Sequence, residues 1–166
     1  MANQILNYSK ANKSSTIIPQ IINSSLKLVV FPIGKLTLSL PVEQVTKVTK
    51  YTPTHGSGLS HVNLTHLEEQ EVTTVDLHHK IFKVGQSEFS SEKGYFIITK
   101  NTTGDSLGIR VMDTPTLLDV PFSRIRILPL SYRHADTLEI ASHVAIIPQE
   151  DGTSQTIFIL DVDCLC

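Results

Sequence analysis

The stretch that decides the fold is Val72-Thr73-Thr74-Val75-Asp76-Leu77-His78-His79-Lys80-Ile81-Phe82. Its first four residues form a β-branched run, which is typical of a half-buried strand. Asp76 then stands where a helix N-cap belongs, and its carboxylate can accept from the free backbone N–H groups of the two histidines after Leu77. Leu77 and Ile81 lie four residues apart, so one face of the following segment is apolar. The stretch predicts a strand, an aspartate cap and a short docked helix.

The composition is that of a packed globular protein, since the 166 residues are 40% hydrophobic and 18% charged. This length suffices for one domain or for two small lobes that share a core. The formal net charge of -2 argues against a polybasic membrane patch and against nucleic-acid binding through phosphates. No apolar run approaches the ~20 residues of a membrane span. We therefore expect no nucleic-acid partner and no direct membrane insertion.

The two ends of the chain carry weaker signals. Residues 1–25 are rich in Asn, Ser, Lys and Gln, which predicts a flexible N-terminal arm with an isoleucine-rich patch at 17–22. The first ten residues lack the basic and continuous apolar regions of a signal peptide. A disulfide between Cys164 and Cys166, which are separated by one residue, would be strained, which predicts reduced thiols and a cytoplasmic protein.

From residue 26 onwards, short strand-like runs alternate with turns. Leu36–Leu40 alternates leucine with polar residues, while Tyr95–Thr99 and Thr156–Asp161 are richer in apolar and β-branched residues. A polar connector at about 83–94 divides the runs into two halves. The pattern predicts barrels or sandwiches arranged as two lobes, at about 26–82 and 95–166.

In the order of these elements the chain resembles the CheW family, the adaptor proteins of bacterial chemotaxis-type signalling. The resemblance extends from about residue 26 to the C-terminus. The first hairpin of the family reads Gly-hydrophobic-hydrophobic-Asn-Leu-Arg-Gly and leads to a strand that ends in Asp-Leu. The similar runs of this chain are Asn63–Glu69, Val72–Leu77, Gly108–Asp113, Leu117–Val120, Leu128-Pro129 and Ile157–Asp161.

The resemblance implies an all-β protein of two intertwined five-stranded barrels, SH3-like or OB-like, with one or two short helices. It also implies a non-catalytic adaptor, without a cofactor, that couples a chemoreceptor-like protein to a CheA-like histidine kinase. One barrel edge would pack on the regulatory domain of the kinase, and the groove between the lobes would hold the cytoplasmic helix tip of the receptor. The residues that match the family's hairpin, and are therefore candidates for partner binding, are Leu64, His66, Leu67 and Glu68.

The tip of this hairpin departs from the family pattern. Glu68 and Glu69 replace the family's Arg-Gly pair, so the charge is reversed and the glycine that tolerates a positive φ is lost. The sequence predicts either a different turn or strain of about 1 kcal/mol at Glu69. Asn63 and Thr73 replace a glycine and a proline of the pattern. Because charge reversal at an interface changes partner choice, the alternative is a CheW-fold interaction module of another two-component or motility pathway.

Two further classes of protein can be weighed against the adaptor. A metal site assembled from His66, His79 and Asp76 would make the protein a small metal-dependent enzyme, but the chain has no recognised ligand spacing. It also has no Gly-x-Ser-x-Gly elbow, so we expect no catalytic residue, no metal and a purely structural capping role for Asp76, worth about 1 kcal/mol. A single-stranded nucleic-acid binder needs a basic groove with stacking aromatics, and this chain is 6% aromatic.

Overall fold

The structure is a computed structural model that describes residues 24–53, 61–84, 92–133 and 139–166. The described residues form two sheets and two short helices. The strands are β1 (Ser25–Ile33), β2 (Leu36–Pro41), β3 (Val45–Lys50), β4 (Val62–Leu67), β5 (Gln70–Val75), β6 (Tyr95–Lys100), β7 (Ser106–Val111), β8 (Thr116–Pro121), β9 (Ile125–Ile127), β10 (Ala141–Pro148) and β11 (Ser154–Leu160). The helices are α1 (Leu77–Phe82) and α2 (Leu130–Arg133), and 3₁₀ turns follow β2, β8 and β11.

Each sheet combines strands from both halves of the chain. The order β8-β1-β2-β11-β10-β9 gives a six-stranded sheet, and the order β3-β6-β7-β5-β4 gives a five-stranded sheet. The hairpins are β1–β2, β4–β5, β6–β7 and β10–β11. Their second strands pair in parallel, β11 with β2 and β5 with β7. The prediction of an all-β, intertwined fold is confirmed, with one strand more than expected in the first sheet. The lobe boundaries stay a prediction, and residues 1–23 of the proposed arm lie outside the described residues.

The core is divided between the two barrels and the space that separates them. Phe31 and Leu38 of the six-stranded sheet join Ile97 and Ile109 of the five-stranded sheet in one buried cluster, which lies between the sheets. A second cluster fills the interior of the six-stranded sheet, and a third, around Phe96, fills the interior of the five-stranded sheet. Because successive residues of a strand face opposite sides, β5 contributes Val72 to the barrel interior and Val75 to the inter-sheet core, and β6 contributes Phe96 and Ile97 in the same way.

The five-stranded sheet curls until its outer strands approach each other. β3 and β4 lie at opposite ends of the strand order, yet the Lys47 Nζ of β3 is 3.0 Å from the Glu68 Oε1 beside β4. A flat sheet would hold these strands four inter-strand spacings apart, at about 19 Å. The ion pair therefore reports a barrel-like closure.

The joint between β5 and α1 is organised by Asp76. Its carboxylate accepts a hydrogen bond of 3.0 Å from the backbone N–H of His79, and its own backbone is extended, as an N-cap requires. Leu77 and Ile81 are buried in the inter-sheet core. α1 ends at Lys83, whose φ of 62° is left-handed and whose N–H bonds back to the carbonyl of His79. Among the described helices, neither is long or apolar enough to cross a membrane.

Candidate partner-binding site

The β4–β5 hairpin turns tightly at its two glutamates. The strands pair from Val62 opposite Val75 to Leu67 opposite Gln70, which leaves Glu68 and Glu69 in a two-residue turn. Glu68 has a φ of 59°, and Glu69 does not share the positive sign. A positive φ at the first central residue alone is the pattern of a type II′ turn, where glycine is usual. The turn therefore differs from the expected one, and the strain lies at Glu68 rather than at Glu69.

The four hairpin residues predicted from the sequence fall into two groups. Leu64 and His66 are exposed on the outward face of β4, and Leu64 exposes 50% of its surface. Leu67 faces the other way and packs with Phe96 inside the five-stranded barrel. Glu68 projects from the tip with its side chain 80% exposed and paired with Lys47. Leu64, His66 and Glu68 are thus available to a partner, whereas Leu67 belongs to the core.

An open depression of about 520 Å³ lies on the outward face of this hairpin. Its floor follows the strand register, because Leu64 of β4 stands opposite Thr73 of β5, which in turn stands opposite Leu107 of β7. Leu107 belongs to the inter-sheet core and Leu64 is half exposed. At the β4–β5–β7 depression, as we call it, the inter-sheet core reaches the surface. Its described lining is Val62, Leu64, Glu71, Thr73, Asn101, Asp105, Ser106, Leu107 and Cys166.

The rim of the β4–β5–β7 depression is acidic. Glu71 on β5 and Asp105 before β7 are both exposed, and the described lining contains no lysine or arginine. The Asp105 carboxylate accepts hydrogen bonds from the Thr103 hydroxyl at 2.7 Å and the Asn101 amide at 3.0 Å. These two bonds lower the pKa of Asp105, because they stabilise its ionised form. The depression therefore presents an apolar floor beneath negative charges at neutral pH.

Cys166 lines this site, and Cys164 lies two residues before it. Both are free thiols. Burial raises the pKa of both the Cys164 and the Cys166 thiol, so the neutral form dominates at physiological pH. The Lys80 Nζ of α1 donates to the carbonyl oxygens of Cys164 and Leu165, each at 3.1 Å, which fixes this segment beside the depression.

The histidines do not assemble into the metal site considered above. His66 stands opposite Glu71 of β5, and Asp76 follows Glu71 by five residues. About 16 Å of extended chain therefore separates His66 from Asp76. His79 instead meets His61, with their ring centroids 6.4 Å apart. Burial, followed by the positive charges of Lys80 and neighbouring groups, lowers the pKa of His61. Within the described ranges, no group of three or more His, Cys, Asp and Glu residues is placed to hold a metal ion.

Comparison with known proteins agrees with this architecture. The sequence model of the CheW-like domain matches residues 27–166. The chain belongs to the CheW-like family. The resemblance seen in the sequence is thereby confirmed, and this is a family of chemotaxis scaffolds and adaptors. No curated protein matches the chain significantly.

A solved structure shows the same fold. The crystal structure of the scaffolding protein TtCheW from Thermoanaerobacter tengcongensis superimposes with a TM-score of 0.65 at 16% sequence identity, over 82% of this chain and 84% of that one. At such low identity the likeness concerns the fold alone, so partners must be argued from the surfaces of this chain.

Proposed function

We propose that this CheW-like chain is a non-catalytic adaptor that joins the cytoplasmic helix tip of a chemoreceptor-like protein to the regulatory domain of a CheA-like histidine kinase. The observation that supports it best is the β4–β5–β7 depression. Its floor runs from half-exposed Leu64 through Thr73 to Leu107, which belongs to the inter-sheet core. Apolar grooves of this kind accept the apolar face of an amphipathic helix. Because both proposed partners are expected in the cytoplasm, the proposal assigns the adaptor to the same compartment.

The dimensions of the depression fit one helix. Its floor spans three neighbouring strands from Leu64 to Leu107, which is two inter-strand spacings or about 10 Å. An α-helix with its side chains is about 10 Å wide. A single receptor helix therefore covers the row of Leu64, Thr73 and Leu107 without displacing either sheet.

A separate surface on the six-stranded sheet suits the kinase. β9 is a three-residue strand at the end of that sheet, and its Ile127 is 75% exposed. Leu130 and Tyr132 of the adjacent α2 are also exposed, by 67% and 59%. Exposed aliphatic and aromatic side chains beside a short strand edge are typical of an interface core. We assign this β9–α2 surface to the regulatory domain of the kinase.

Binding measurements with single variants test both assignments. The full chain is titrated with a receptor cytoplasmic fragment and with the regulatory domain of a CheA-type kinase. Leu64→Glu weakens receptor binding by about tenfold or more, and Ile127→Glu does the same for the kinase, because each places a charge in an apolar contact. Leu117→Glu is the matched control, since Leu117 is exposed by 64% on β8, at the opposite end of the strand order from β9 and in the other sheet from the depression.

The outcomes separate the proposal from its alternatives. If the unaltered chain binds neither protein, the chemotaxis adaptor role is wrong, and binding to a different histidine kinase would favour another two-component pathway. Glu68 supports that alternative, because it reverses the charge of the family's arginine. If all three variants bind as the unaltered chain does, the surfaces are wrongly assigned. Stoichiometric metal in purified protein, measured by elemental analysis, would favour the enzyme alternative.

A further inference from the structure

We infer that the helix bound in the β4–β5–β7 depression carries lysine or arginine side chains along one side of its apolar stripe. This inference rests on the proposed function, which supplies a helix as the occupant. It adds the chemistry by which this particular chain selects that helix.

The charges of the depression lie along one side of its apolar floor. Leu64, Thr73 and Leu107 form the floor. Glu71 lies two residues before Thr73 on β5 and therefore projects on the same face, one step towards the hairpin tip. Asp105 lies two residues before Leu107, and because β5 and β7 are parallel with Thr73 beside Leu107, it stands on the same side of the floor as Glu71. A helix that covers the floor must place its flanking side chains next to these two carboxylates.

The carboxylates are held in place by neutral donors or by strand pairing. Asp105 accepts from the amide of Asn101 and the hydroxyl of Thr103, and Asn101 Oδ1 also accepts the backbone N–H of Asp105 at 2.8 Å. Glu71 is exposed and lies in register with His66. The acidic rim is thus a property of the folded loop and strand rather than of a loose tail.

The hairpin tip extends the same negative surface. Glu68 and Glu69 follow directly on β4, and Lys47 contacts only Glu68 among the described ion pairs. A partner with basic residues approaches this surface favourably, whereas an acidic partner is repelled at each of these positions. Charge complementarity of this kind acts mostly on the association rate and on specificity, and it weakens as salt is added.

The probes for the test are three synthetic helical peptides. The first has a leucine stripe flanked on one side by lysines, the second has the same stripe flanked on the same side by glutamates, and the third has the lysine composition in scrambled order. Each carries a fluorophore, and binding to the full chain is followed by fluorescence anisotropy. We expect the lysine-flanked peptide to bind about tenfold tighter than the glutamate-flanked one at low salt, with the difference shrinking as salt rises.

Charge reversal in the protein locates the effect. Glu71→Lys is expected to weaken the lysine-flanked peptide by about tenfold and to strengthen the glutamate-flanked one. The matched control is Glu150→Lys, because Glu150 is an exposed glutamate at the tip of the β10–β11 hairpin on the other sheet. Equal effects of the two variants, equal binding of the two ordered peptides, or equal binding of the scrambled peptide would overturn the inference.

The same two variants titrated with the receptor fragment distinguish this inference from the proposed function. Receptor binding that is insensitive to Glu71→Lys overturns the inference and leaves the adaptor role standing. An unaltered chain that binds the lysine-flanked peptide but neither the receptor fragment nor the kinase domain overturns the adaptor role and supports a basic helix from another protein.

Discussion

The β4–β5 and β10–β11 hairpins have equivalent places in the two sheets. Each adds its second strand in parallel to the second strand of another hairpin, β5 to β7 and β11 to β2. Each also ends in an aspartate that caps the next turn. Asp76 accepts from the N–H of His79 at 3.0 Å, and Asp161 accepts from the N–H of Asp163 at 3.1 Å. The two lobes therefore share one local arrangement, in which an aspartate after the second strand of the hairpin caps the next turn.

The hairpins differ in how they turn. The β10–β11 loop places Gly152 at a φ of 85°, and Asp151 accepts from both the N–H and the hydroxyl of Thr153. The β4–β5 turn places Glu68 at a φ of 59°, where a side chain is unfavourable. One turn contains the residue that suits its backbone, while the other keeps a charged residue at a conformational cost. Such costs concentrate at functional positions, which agrees with the acidic rim at β4–β5.

The hairpins also differ in what lies beside them. β10 is flanked by β9, whereas β4 ends its sheet and exposes Leu64. The β4–β5 hairpin therefore lies at the end of its strand order, whereas the β10–β11 hairpin does not. The two hairpins share an architecture, and the edge strand of the β4–β5 hairpin lines the β4–β5–β7 depression.

The largest expected effect tests whether the two lobes are one cooperative unit. Phe96→Ala empties the interior of the five-stranded barrel, and Phe31→Ala empties the inter-sheet core, since both side chains are fully buried. Each change should lower the free energy of unfolding by about 3–5 kcal/mol. Because the inter-sheet core joins the lobes, we expect a single urea transition for each variant, followed by circular dichroism.

The control for this prediction is Phe122→Ala, because Phe122 is 51% exposed and its removal should change stability by no more than about 0.5 kcal/mol. Two separate transitions in the Phe96→Ala variant would show that the lobes unfold independently. The comparison between hairpins would then describe two domains rather than one.

The next effect compares the two aspartate caps. Asp76→Ala should cost about 1 kcal/mol in chemical denaturation, because the His79 N–H loses its acceptor. Asp161→Ala should cost less, because the turn that it caps is a three-residue 3₁₀ turn rather than a helix. Asp76→Asn is the matched control, since asparagine caps helices about as well. Equal losses for the alanine and asparagine variants at position 76 would contradict the capping role.

A reciprocal pair of substitutions measures the strain at the two tips. Glu68→Gly removes a side chain from a positive-φ position and also removes an exposed ion pair worth about 0–1 kcal/mol. The net effect should be a stabilisation of the protein by about 0.5 kcal/mol. Gly152→Ala should destabilise by about 1 kcal/mol, purely through its φ, because a Cβ at Gly152 meets no atom within 4 Å.

Lys47→Ala is the control for the pair, since it removes the ion pair and leaves the backbone of the turn unchanged. Thermal melting of the three variants is sufficient. If Glu68→Gly destabilises the protein more than Lys47→Ala does, then Glu68 is not strained and the contrast between the tips disappears.

The strand–cap–helix joint could be read from the sequence because it depends on neighbouring residues. Val72–Val75 lies in β5, Asp76 is the cap, and Leu77 and Ile81 face the core. The alternation along β4 also separates exposed Leu64 from buried Leu67, and the two-residue period of a strand is enough to distinguish their faces. These features are local, and local chemistry determines them.

The β4–β5–β7 depression could not be read in the same way. Its floor depends on the parallel register of Thr73 with Leu107, two residues that are far apart in sequence and paired only in the folded sheet. Asp105 enters the site through that register, from a turn that resembles any other polar turn. The choice between a different turn and strain at Glu69 could not be made from the sequence, because turn type depends on the twist of both strands.

The smallest effect concerns pH and the joint behind the β4–β5 hairpin. Burial, then the charges of Lys80 and His79, lowers the pKa of His61 from its usual 6.5 in the folded protein. The unfolded chain therefore binds more protons at His61 just below pH 6.5, so the stabilising contribution is present above that pH and is lost as the pH falls through the folded pKa. His61→Gln should flatten the pH dependence of the melting temperature below about pH 6.5 and leave the profile above about pH 7 unchanged.

An identical acid slope in both proteins would mean that His61 titrates alike in the folded and unfolded chains. Burial and the nearby charges of α1 would then have no net effect on the pKa of His61, and the functional contrast between the hairpins would depend on the tip and rim charges alone.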